Sequence, residues 1–215
     1  MHQKSFFVRT AALLTALALP LGAARAALLS PGSFVLPSLE AGPVGASLVA
    51  TTNVSFNGVD SFNNVLFSGN LVSSVWSGDT SSPYSGLTFT YQLFSASTSA
   101  NAIDRLTLNR FAGFQTDIGY NGAGISFSRA TRTPSGDLIA FVFEDGSFLP
   151  TLTPGNNSPA LVIQTDSPVW AIGNASVIDG ATANVPAFVP QAVPEPTSLA
   201  LALTGLVALA VRRKF

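Results

Sequence analysis

The sequence predicts an all-β fold, an antiparallel β-sandwich or jelly roll, and three observations predict it. Apolar residues recur mostly at every second position, the period that puts them on one face of a strand. Turn-forming pairs such as Asn121-Gly122 and Asp145-Gly146 punctuate the chain at short intervals. Between the two termini no stretch has helical spacing. Many short strands with frequent turns read as a sandwich or jelly roll. A β-helix, the alternative, requires a fixed-length repeat, and none is found.

The first segment is not part of that fold. Lys4 and Arg9 form a basic start, Ala11 to Leu21 an apolar run, and Ala24-Arg25-Ala26 a small-x-small end. These are the three parts of a secretory signal peptide. Residues 1–26 are therefore expected to form a signal helix that signal peptidase removes after Ala26, with Ala24 as the alternative end.

An ectodomain is expected over 27–181. Leu48, Ala50, Thr52, Val54 and Phe56 alternate with more polar neighbours, as do Leu87, Phe89, Tyr91 and Leu93. Further strands are expected at 65–68, 71–76, 103–108, 116–120, 124–128, 138–143, 160–165, 169–172 and 176–178. Turns are expected at Asn57-Gly58, Gly78-Asp79, Asn121-Gly122, Ser135-Gly136-Asp137, Asp145-Gly146 and Pro154-Gly155-Asn156. The runs Leu138–Phe143 and Leu161–Ile163 are apolar on both faces, which places them centrally in their sheets. Residues 182–193, with Pro186 and Pro190, read as a stalk.

The end of the chain is the most specific feature. Pro194 and Pro196 lack an N–H, and Pro196 pushes Glu195 out of the helical region, so a strip at Pro194-Glu195-Pro196 stays extended. Ser198 to Val211 is an apolar helix of 14 residues. At about 1.5 Å per residue it reaches roughly 21 Å against a hydrocarbon core of about 30 Å. Arg212, Arg213 and Lys214 close it, and adjacent cations stay on the cytoplasmic side of a membrane. Everything upstream is then outside. A permanent anchor is the plainer reading; the short helix favours a tail that is used once and removed, as in a GPI signal.

The segment Val193 to Phe215 resembles the PEP-CTERM sorting signal of Gram-negative bacteria, with its Pro-Glu-Pro triplet, apolar helix and basic cluster in order. The resemblance implies that an exosortase recognises Pro194-Glu195-Pro196 in the sorting signal 194–215, removes the transmembrane sorting helix that follows the triplet and passes the protein outward. It also implies an organism that makes an extracellular polysaccharide matrix. Phe114–Tyr120, Leu161–Asp166 and Val177–Gly180 look like ectodomains that recur with this signal, which is consistent with a β-rich fold.

Composition narrows the chemistry. Between Ala27 and Val193 stand four arginines (105, 110, 129, 132) and ten acids (40, 60, 79, 104, 117, 137, 144, 145, 166, 179), leaving about −6. A sparse, acidic surface argues against nucleic acid, whose binding needs clustered cations. The chain has no cysteine, and its one histidine and its lysines lie in the terminal signals. A serine nucleophile therefore lacks its usual base, and zinc, copper and haem lack their common ligands. No catalytic residue, metal or cofactor is assigned. Glu144-Asp145-Gly146 and Asp179-Gly180 offer oxygen ligands to calcium, but no D-x-D-x-D-G loop accompanies them, and solvated turn acids are the simpler reading.

Two chemistries remain. Carboxylate glycoside hydrolysis needs only two acids about 5 to 9.5 Å apart. Sugar binding needs exposed rings, for which Trp76, Trp170, Tyr84, Tyr91 and Tyr120 are candidates, Tyr84 because it lies in a Ser/Pro loop. Phe89, Tyr91 and Phe127 read more simply as core. Arg105 and Arg110 are expected to pair at the surface with Asp104 and Asp117, each pair worth little. The sequence thus points to an exported surface or matrix protein, structural, adhesive or biofilm-associated, with extracellular polysaccharide as candidate partner. The alternatives are a glycan-binding module and, behind it, a glycoside hydrolase.

Overall fold

A computed structural model describes residues 27–144, 147 and 151–193. Among them every helix or strand element is a strand, and the strands form two six-stranded antiparallel sheets. Numbered along the chain, the first sheet runs β1 (Ala27–Leu28), β7 (Thr116–Asn121), β10 (Ala160–Thr165), β5 (Thr88–Ser95), β4 (Val65–Ser77) and β3 (Ser47–Val59). The second runs β12 (Ala181–Pro190), β11 (Trp170–Asp179), β6 (Arg105–Leu108), β9 (Ile139–Val142), β8 (Arg129–Arg132) and β2 (Phe34–Val35). The expected signal helix and sorting helix lie outside the described residues.

Alternation builds one core from both sheets. Leu71, Val75, Phe89 and Tyr91 from the first join Leu106, Phe141, Val177 and Val189 from the second, all fully buried. Each such side chain contributes about 1.5–3 kcal/mol by leaving water. Phe127 bridges neighbours, its ring lying edge-on to Phe141 at 5.1 Å and to Tyr120 at 6.2 Å. The two runs that are apolar on both faces take inner positions, as β9 and β10.

The sheets are also tied by polar bonds. Ser73 and Tyr91 are cross-strand partners on the inner face of the first sheet. The backbone N–H of Phe188, on edge strand β12, donates to Ser73 Oγ at 3.0 Å, and the Tyr91 hydroxyl donates to the Phe188 carbonyl at 2.6 Å. A free edge exposes such groups, and here two side chains occupy them.

Several expectations need correction. The stalk over 182–193 is strand β12 as far as Pro190, paired residue for residue with β11. Ala183, Val185, Ala187 and Val189 alternate inward and are buried. The two prolines are tolerated because β12 is an edge strand, which can spare their N–H groups. Asn57-Gly58 is no turn but part of β3. Gly58 faces Phe67, and Gly69 faces Phe56 across the hairpin, so each glycine makes room for a ring of the partner strand. The turn falls instead at 60–64, where the Asp60 carboxylate accepts from the N–H groups of Phe62 and Asn64.

The segments 65–68 and 71–76 are one strand, β4, and 169–172 and 176–178 lie in one strand, β11. Residues 124–128 form no strand: Gly122 and Gly124 have φ of 86° and 144°, and Ile125 N–H turns to Asn157 O. Strand β8 was not expected, because Arg129 and Arg132 hide its alternation.

Candidate functional site: an uncharged sheet face and a charged end

The outer face of β3, β4 and β5 carries no charged side chain. Register sets Thr51 beside Ser74 and Thr90, Asn53 beside Val72 and Gln92, and Ser55 beside Asn70 and Phe94. From Ala41 to Ile103 the only charged residues are Asp60 and Asp79. The side chains bond along the rows: Thr51 Oγ1 and Ser74 Oγ are hydrogen-bonded at 2.8 Å, and Ser55 Oγ donates to Asn70 Oδ1 at 2.8 Å. Trp76 Nε1 donates to Thr90 Oγ1 at 3.0 Å, which fixes the indole on this face. The result is a neutral array of hydroxyls and amides, with Trp76 near one end and Phe94 near the other.

The same sheet is covered beyond β5. There Thr88 and Gln164 point outward by alternation and are nonetheless fully buried. The cover is the loop after β4. Asp79 accepts from Thr88 Oγ1 at 2.8 Å, Ser81 Oγ at 2.6 Å, Gln164 Nε2 at 3.2 Å and the N–H groups of Val44 and Ser81 at 3.0 Å. Burial pushes this carboxyl up, but the bonds from Ser81, Thr88 and the backbone outweigh it and hold it below the ordinary aspartate range. The sequence marks Asp79 only as a turn residue beside Gly78; in the fold it organises the cover.

At the opposite end of the strands lies a charged group. Arg129 pairs with the nearly buried Glu144, and Arg105 stands 3.9 Å from Asp104. Desolvation raises the Asp104 carboxyl above its ordinary value; Arg105 opposes this, while Glu144 and Asp179 add to it. The acids come from the start of β6 and the ends of β9 and β11, and Arg129 from the start of β8, an assembly that spacing in the sequence does not reveal.

The other singled-out residues are dispersed. Tyr91 is core, Tyr120 packs on Phe127, and Trp170 lies edge-on to Phe188 at 4.8 Å. Tyr84 is half-buried rather than exposed. Its hydroxyl is pushed up by burial and by Asp117 and Asp166, with Arg132 opposing. Arg105 pairs as expected. Arg110 instead reaches the Ile172 carbonyl at 3.5 Å, while Asp117 is buried on β7. Arg132, unremarked in the sequence, points inward and donates to four backbone carbonyls and Thr116 Oγ1. It staples the loops around 29, 114 and 136 to one another.

Pro194, Glu195, Pro196, Arg212, Arg213, Lys214, Ala24, Ala26, Asp145 and Gly146 lie outside the described residues. Among the described residues no helix is long and apolar enough to cross a membrane, and no cluster of three or more acids or histidines suits a metal ion. A family model of the PEP-CTERM protein-sorting motif matches residues 192–214. No curated protein and no solved structure matches the chain.

Proposed function

Because the chain carries the PEP-CTERM protein-sorting motif, which marks an exosortase substrate for export to the cell surface, we propose that it serves there as a non-enzymatic surface or matrix protein in contact with extracellular polysaccharide. The two sheets are read as the halves of a sandwich. The ectodomain is carried outward by the tail, which is anchored transiently in the inner membrane and then cut. The observation that carries the reading is the neutral outer face of β3, β4 and β5. Hydroxyls and amides in register suit a polymer of hydroxyls, and the absence of charge there removes the desolvation cost that ions would impose.

Co-sedimentation tests it. The exported protein is expected to pellet with polysaccharide from the matrix of the producing cells, and replacing Asn53, Ser55 and Gln92 by glutamate is expected to release it. Protein that stays in the supernatant would overturn the assignment. The glycoside hydrolase reading rests on one observation, the raised carboxyl of Asp104 beside Glu144, and it predicts that Asp104→Asn abolishes release of reducing ends.

A further inference from the structure

The outer row of β11 and β12 changes character along its length. Register pairs Trp170 with Pro190, Ile172 with Phe188 and Asn174 with Pro186, then Ser176 with Asn184 and Ile178 with Thr182. The inward row is the buried one of Ala175, Val177, Ala183, Val185 and Ala187, so by alternation these pairs face out. Toward Gly180 the row is polar: Asn174 Nδ2 and Ser176 Oγ both donate to Asn184 Oδ1, at 3.2 and 2.6 Å. Toward Pro190 it is apolar. The Trp170 ring lies edge-on to Phe188, and Ile172 beside them is 63 % exposed. Thr52, Ile172, Pro186, Ala187 and Phe188 line a hollow of about 130 Å³ there. From Ser167 to Val193 the only charged residue is Asp179, at the far, polar end.

An exposed apolar patch rimmed by polar residues marks a contact surface, and the distance to the tail selects what it contacts. Seven residues, Gln191 to Thr197, separate the end of β12 from the apolar run that starts at Ser198. Fully extended they reach about 25 Å. A domain tied that closely to an inserted segment keeps the Trp170 end of the row within reach of the bilayer. We propose that this end is a lipid contact: while the tail is anchored, the strip of Trp170, Ile172 and Pro186, backed by Phe188, rests in the interfacial layer of the membrane. The inference rests on the reading of the tail as a transient anchor. Tryptophan is enriched in that layer, where an apolar ring and a polar N–H both find their surroundings. Neutrality suits it as well, because an acidic domain is repelled by anionic headgroups wherever its acids lead the approach. Arg110, which donates to the Ile172 carbonyl, and Asp137, which accepts from the Arg110 N–H, leave the rim balanced. Asn174, Ser176 and Asn184 then mark the waterline. With the sheets read as a sandwich, this contact turns the outer face of β3, β4 and β5 away from the membrane, toward the matrix.

The chain lacks cysteine, so a single introduced thiol reports its own surroundings. Ile172→Cys, Asn184→Cys and Thr182→Cys are made in the full chain, labelled with a polarity-sensitive dye and floated with phosphatidylcholine vesicles that carry a nitroxide near the lipid headgroup. All three sites are exposed, and Thr182 lies about 20 Å along the strands from Ile172. Quenching with a blue shift is expected at 172, several-fold weaker at 184 and absent at 182. Raised salt should change nothing, because the contact is apolar. Ile172→Asp, read with the dye at Pro186→Cys, should lose the quenching while the chain still floats. Floating chain with equal signals at 172 and 182 would overturn the lipid contact and leave the anchor standing. Chain that does not float would overturn the anchor reading, and the contact with it. Protection of 172 in cells but not in vesicles would show that a protein covers the strip, which also overturns the proposal.

Discussion

The Tyr91 hydroxyl donates to the Phe188 carbonyl at 2.6 Å, joining the inner face of one sheet to the edge strand of the other. Removing the hydroxyl leaves a buried acceptor without its donor, which costs about 1–3 kcal/mol. Tyr91→Phe is expected to lose that much in denaturant unfolding at neutral pH. Burial raises the Tyr91 hydroxyl well above its ordinary value. The proton is thus held more tightly in the folded state, and stability present below about pH 10 is lost as pH rises further. The phenylalanine variant should show a weaker alkaline loss, measured by melting temperature between pH 9 and 11.

Asp79 gives the opposite dependence. Its folded carboxyl lies below the ordinary range, so its contribution is present above about pH 4 and is lost as pH falls through the lower folded value. Asp79→Asn should destabilise by about 1–3 kcal/mol at pH 7 and flatten the acid limb of the stability profile. An unchanged acid limb would show that other carboxyls set it.

Gly69 has no room for a side chain, because a Cβ would run into the Phe94 carbonyl and lie 2.8 Å from the Phe56 ring. Gly69→Ala should cost about 1–3 kcal/mol through overpacking. Gly78→Ala, at a φ of 74° with open space around it, should cost less, about 1 kcal/mol from backbone strain alone. Comparing the two melting curves tests the order.

The sorting signal is testable in cells. Replacing Pro194, Glu195 and Pro196 by alanine should leave an unprocessed membrane form, read as the full-length mass in the membrane fraction. Processing at the normal rate would show that the exosortase reads something else.

Neutralising Arg212, Arg213 and Lys214 removes the stop at the cytoplasmic face. Full-length protein is then expected in the medium, detected by a C-terminal antibody. Continued retention in the membrane would show that the apolar helix alone suffices.

Legibility followed locality. Period-two patterns revealed β5 and β10 because Phe89, Tyr91, Leu161 and Ile163 are large and apolar. Strand β12 was hidden because its inward row is partly Ala183 and Ala187 and its two prolines imitate a linker. Gly58 misled because a glycine after asparagine signals a turn, and only the opposite strand shows that a phenylalanine ring lies over it. The neutral face was half legible: the missing charges are visible in the sequence, but the register that aligns Thr51, Ser74 and Thr90 is not. Asp104, Glu144 and Asp179 meet through topology alone, and Arg132 through an inward rotamer that no pattern announces.

Strand β12 continues to Pro190, so Gln191 to Val193 alone separate the folded sheet from the sorting strip, a reach of about 10 Å. The β11–β12 turn at Gly180 is about 30 Å away at the far end of the strands. Pairs from Asp179↔Ala181 to Trp170↔Pro190 hold β12 along its whole length, so a chain cut before Pro190 would lose part of an edge strand and its buried row, and not a spacer.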